Sequence, residues 1–134
     1  MKKTTIKTFS LMLFISIFLS GCFQPPPMAT LQTQIEFEGP NIIGDVSELI
    51  TPFPGIHDYL QGTSATFFAS DSENYRFIRW AITPNNVDAN TYYVPSREYI
   101  FNIVKNKNVT AFYGCKTDLA CEEGYTCQPD ATCR

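Results

Sequence analysis

The chain has 134 residues, with ten basic against thirteen acidic side chains, one histidine and five cysteines. That is enough for one domain plus a small appendage. A net charge of −3 lacks the basic patch that nucleic acid or anionic lipid headgroups would ask for.

In chain order, Lys2, Lys3 and Lys7 give a positive start, and Phe9 to Leu19 is an apolar run broken only by Ser10 and Ser16. Those 11 residues are too few to span a hydrocarbon core of about 30 Å and match the apolar region of an export leader. Leu19-Ser20-Gly21-Cys22 follows. These four residues resemble the lipobox of bacterial lipoproteins, which implies cleavage before Cys22 and lipidation of its thiol. The expectation is a signal peptide over 1–21 and a membrane partner reached through the N-terminal lipid. Cysteine arithmetic agrees, because assigning Cys22 to lipid leaves an even set of four in an exported chain. One acyl chain binds membranes only marginally, and the resemblance implies three. Phe23 stands after the cysteine where no Asp is found, which in a Gram-negative host implies the outer membrane. With the leader lysines gone, seven basic residues face thirteen acidic ones, a net of −6.

Pro25-Pro26-Pro27 stiffens a tether over 22–30. Leu31 to Phe37 reads as a first strand, and Ile42 to Ile50 as either a helical turn or a short strand. Pro52, Pro54 and Gly55 end it and open a turn-rich stretch that holds His57 and Asp58. Ser64 to Ala69 alternates as a strand, with Ala65, Phe67 and Ala69 on one face. Tyr75 to Ile82 is the next strand, where a bulge between Phe77 and Trp80 lets both point inward. Trp80, the single tryptophan, is the expected core element. Tyr92 to Val94 is a short extended piece. Tyr99 to Val104 and Asn108 to Tyr113 flank Lys105-Asn106-Lys107, a hairpin signal.

Gly62-Thr63-Ser64-Ala65-Thr66-Phe67-Phe68-Ala69, Asn74-Tyr75-Arg76-Phe77-Ile78-Arg79-Trp80, Phe101-Asn102-Ile103 and Asn108-Val109-Thr110-Ala111-Phe112-Tyr113 form an ordered series. Over residues 31–113 it resembles divergent internalin B-repeat domains of bacterial surface proteins. The resemblance implies a small β-grasp-like sheet domain, so the expected class is mostly β with a C-terminal disulfide-rich module. Ala65, Asn74 and the long 81–98 segment depart from the family pattern.

Residues 114–134 carry Cys115, Cys121, Cys127 and Cys133 at equal steps of six and almost no apolar content. Such a segment needs covalent staples. The spacing is wider than that of a zinc knuckle, so no metal is expected. Three connectivities are open. The segment resembles small bacterial modules akin to half an epidermal-growth-factor domain, which implies Cys115–Cys127 and Cys121–Cys133.

Outward Phe68 and Phe112 beside Arg76 and Arg79, with Tyr92, Tyr93 and Tyr99 as further members, make a candidate binding face, since interface hot spots are rich in aromatics and arginine. A helix or the 81–98 segment covering them is the alternative. His57 and Asp58, adjacent in a loop, lack a nucleophile nearby, and Glu36 and Glu38 read as solvated. No catalytic residue and no cofactor are expected. The function expected is non-catalytic binding or adhesion at the cell envelope, with a protein or glycan partner and no nucleic acid. The alternatives are a structural or accessory lipoprotein of an envelope or secretion assembly, and a small enzyme or inhibitor.

Overall fold

A computed structural model describes residues 24–85 and 90–134. Cys22 and the leader therefore lie outside the described residues, as do positions 86–89 of the long segment. Among the described residues no helix is long and apolar enough to cross a membrane.

The chain is mostly β, with a disulfide-stapled C-terminal module. Eight strands are described: β1 (Met28–Phe37), β2 (Ile50–Thr51), β3 (Gly55–Leu60), β4 (Ser64–Ala69), β5 (Tyr75–Pro84), β6 (Tyr92–Val94), β7 (Glu98–Asn102) and β8 (Lys107–Cys115). They form a five-stranded sheet in the order β3-β1-β8-β5-β6 and a three-stranded sheet in the order β2-β4-β7. The central pair, β1 and β8, is parallel, and every other pairing is antiparallel.

Period-2 alternation produces the inner faces. Ala65, Phe67 and Ala69 are buried while Ser64, Thr66 and Phe68 are exposed. Val109, Ala111 and Tyr113 on β8 and Ala29, Leu31 and Thr33 on β1 are buried in the same way. Residues of both sheets share one core. Aromatic rings carry it across the gap: Phe67 meets Trp80 edge-on at 5.7 Å, Phe77 lies 5.2 Å from Trp80, and Tyr113 meets Phe77 at 5.7 Å. Such pairs add to the area they bury. The ladder between β5 and β8 slips between Phe77 and Arg79, so Ile78 is the extra residue. This is the expected bulge, and it leaves both Phe77 and Trp80 buried.

The structure corrects two expectations. The segments on either side of Lys105-Asn106-Lys107 do not pair as a hairpin. β7 pairs with β4 in the small sheet, whereas β8 pairs with β1 and β5 in the large one. Ile103 is fully buried, so this turn is a corner that carries the chain from one sheet to the other. The stretch around His57 is not a loop but β3, an edge strand paired with β1 from Met28–Leu60 to Thr33–Gly55. Gly55, at φ 146°, lets the chain enter that strand directly after Pro54. The ambiguous 42–50 stretch resolves into a bridge at Ile42, a 3-10 turn at Ser47–Leu49 and β2.

The cysteines pair as Cys115–Cys127 and Cys121–Cys133. The Cys115, Cys121 and Cys133 sulfurs lie within 4.8 Å of one another, so the two bonds pack as one knot with Ala120. The knot docks on β8, where the Cys115 N–H donates to the Ala131 carbonyl at 3.0 Å.

Candidate functional site

The bulge in β5 decides what faces solvent. Phe77 and Trp80 both turn inward, and Arg79 is left pointing out of the five-stranded sheet, opposite Phe112 of β8. Two positions further along β5, Ala81 pairs with Tyr93 of β6, so Tyr93 reaches Arg79 from the other side. The guanidinium carbon lies 5.1 Å from the Tyr93 ring centre and 5.0 Å from that of Phe112. A cation against two ring faces is attracted by both. Glu38, just past the end of β1, fixes the remaining direction. The Arg79 guanidinium donates to its carboxylate at 3.0 Å, with a closest approach of 2.8 Å, and both side chains are about one-third exposed. An ion pair so open to water contributes no more than about 1 kcal/mol, so its effect is chiefly to orient the guanidinium. Tyr93 remains 60% exposed.

The expected binding-face residues do not all meet. Arg79, Phe112 and Tyr93 come together. Arg76 is directed to the tail, donating to the Pro129 carbonyl at 2.6 Å. Tyr92, adjacent to Tyr93, points the opposite way by strand alternation. Its hydroxyl lies 3.1 Å from that of Tyr99, and Lys107 sits over its ring, closing the seam between β6 and β7. Burial and that hydroxyl contact push the Tyr99 phenol up to about 12. Phe68 stands on the outside of the other sheet, 48% exposed, with Thr51 and Glu98 as cross-strand neighbours.

His57 and Asp58 are on opposite faces of β3. The His57 Nε2 donates to the Phe53 carbonyl at 2.7 Å, and Asp58 accepts from the Thr30 hydroxyl at 2.8 Å. They therefore cannot act on each other. Cys115, Cys121 and Cys133 come close enough for a metal, but each sulfur is bonded to another.

Glu38 is the member that the sequence reading missed as part of a site. Its charge was visible, but its partner depends on the parallel β1–β8 pairing, which no local pattern announces.

No family model matches the chain, and neither a search of the curated proteins nor one of the solved structures finds a match.

Proposed function

We propose that this protein is a lipid-anchored, non-catalytic binding or adhesion module of the bacterial cell envelope, held through Cys22 and taking a protein or glycan partner. One observation supports it most. Arg79 is held between Tyr93 and Phe112 and oriented by Glu38, on a sheet face where Tyr93 is open to solvent. Arginine and tyrosine, already ordered before contact, lose little entropy on binding and dominate interface energetics. The outward face beside them carries Gln32, Gln34 and exposed Glu36 on β1, the last opposite Phe112, and Thr110 on β8. The lipobox resemblance and the paired cysteines support export to the envelope, an oxidising compartment.

A second reading, an accessory lipoprotein of an envelope or secretion assembly, is favoured by β3. That strand pairs with β1 alone among the described residues and leaves Ile56 71% exposed, an edge suited to strand addition.

Photo-crosslinkers placed at Tyr93 and at Ile56, in intact cells, separate the two. Capture of an envelope component from position 93, weakened about 30-fold by Arg79→Ala as expected for an interface hot spot, fits the binding module. Capture from position 56 alone, insensitive to Arg79→Ala, fits the accessory reading and contradicts the first.

A further inference from the structure

The two ends of the molecule differ. The start of β1, the end of β3, the corner at 103–106 and the end of β5 meet at one end through a set of hydrogen bonds. The Gln61 N–H donates to the Pro27 carbonyl at 2.9 Å, Thr30 N–H to the Asn106 side chain at 2.8 Å, Gly62 N–H to the Ile103 carbonyl at 2.7 Å, and Asn85 N–H to the Asn106 carbonyl. The other end carries the ends of β1 and β8 and the disulfide knot.

Because Pro27 is already fastened to Gln61, only the link from Cys22 to Pro27 separates the domain from its anchor. Five residues reach at most about 17 Å, whatever their conformation. The end that carries Pro27 must then stay close to the bilayer, and so short a link gives it a high effective concentration there.

That end has the composition of a membrane contact. Met28 and Leu60 are cross-strand partners, 51% and 43% exposed, and Val104 at the corner is 60% exposed. Lys105 is exposed beside them and shares a shallow concavity with Met28. Lys107 is close by but lies over the Phe101 and Tyr92 rings. Among the described acidic residues only Asp58 belongs to this end. Strand register places Glu36, Glu38 and Glu98 toward the other end, as it does the 45–48 and 71–73 loops and the tail. Among the described residues this end is thus apolar, with Lys105 and Lys107 against Asp58 alone, in a chain that is acidic as a whole.

On the reading that Cys22 is lipidated, we infer that this tip docks on the bilayer that holds the acyl chains. Val104, Met28 and Leu60 enter the headgroup layer, and Lys105 pairs with anionic lipid phosphate. The opposing surface is an ordinary phospholipid leaflet, for which a few apolar side chains and a lysine suffice once the lipid has supplied the main attachment. Docking there lays the Arg79 face alongside the membrane normal, open to a partner from the side.

The test uses the full chain, matured in and purified from producing cells. It is reconstituted in vesicles of phosphatidylethanolamine with a minor fraction of phosphatidylglycerol, with and without bromine near the headgroup end of the acyl chains. Val104→Trp is compared with Leu119→Trp, a 77% exposed position in the tail. Trp80, fully buried in both, supplies a common background. The expected result is loss of Val104→Trp emission on brominated lipid, reduced by adding Lys105→Glu, with no loss for Leu119→Trp. In the unsubstituted chain, the ratio of Lys105 to Lys116 modification by a water-borne amine reagent should fall on moving from detergent to vesicles. Flotation with the vesicles reports the anchor independently. A chain that floats, yet shows equal quenching at both positions and an unchanged lysine ratio, overturns the docking and leaves the anchor standing. A chain that does not float overturns both.

Discussion

Tyr113 joins the two sheets through a single hydroxyl. It is fully buried, packs edge-on against Phe77, and donates to the Ser70 carbonyl at 3.0 Å and the Leu49 carbonyl at 3.3 Å. Burial, and next the nearby Asp71 carboxylate, push its phenol well above the ordinary tyrosine value of 10.0, with Arg97 acting weakly the other way. A proton held more tightly in the folded state than in the unfolded chain stabilises fully below the unfolded value. That contribution is lost as pH climbs above about 10. Tyr99, raised to about 12, acts in the same direction. Tyr113→Phe should therefore cost about 1–2 kcal/mol at neutral pH, by leaving the Ser70 carbonyl without its donor, whereas the Leu49 carbonyl keeps the Ser70 N–H. It should also flatten the decline in stability on the alkaline side. Urea titrations of both proteins at neutral pH and at about pH 11 read both effects; an unchanged alkaline slope would remove Tyr113 from this role.

At the scale of elements, the junction between β8 and the knot depends on a missing side chain. A Cβ on Gly114 would collide with the Ala131 side chain and stand 2.7 Å from the Ala131 carbonyl oxygen. The latter is backbone, held by its bond from Cys115, and cannot turn aside. Gly114→Ala should lift the knot from β8 and destabilise by about 1–3 kcal/mol, as overpacking does. The disulfides keep the module attached, so a lower urea midpoint should come with faster proteolysis between Lys116 and Arg134. An unchanged midpoint contradicts the close fit. Alternation made Ser64–Ala69 and β8 readable from sequence, and two inward aromatics three residues apart foretold the bulge. The missed features were those that a neighbouring strand decides. β3 hides behind two prolines and a glycine, and its edge is stabilised by β1, which comes 18 residues earlier in the chain. The corner at 103–106 has the composition of a hairpin turn, yet buried Ile103 commits it to joining two sheets. The same limit applied to the site. Phe68 and Phe112 both read as outward, correctly, but outward from different sheets, and Tyr92 and Tyr93 part at consecutive positions of one strand.

For the molecule as a whole, the disulfide knot closes one end and an apolar tip bearing Lys105 closes the other, its first fastened residue, Pro27, five positions from Cys22. The Arg79 stack lies on the sheet face between them, clear of both. On the proposed reading, anchor, tip and binding face are arranged along one direction away from the membrane, and each of these assignments refers back to the thiol of Cys22. The measurement that bears on it most directly is the intact mass of the mature chain extracted from membranes of producing cells. The account predicts a polypeptide beginning at Cys22, heavier than its sequence by lipid attached to that residue alone, with the other four cysteines oxidised. A mature chain that begins elsewhere, or one with an unmodified Cys22, would contradict it.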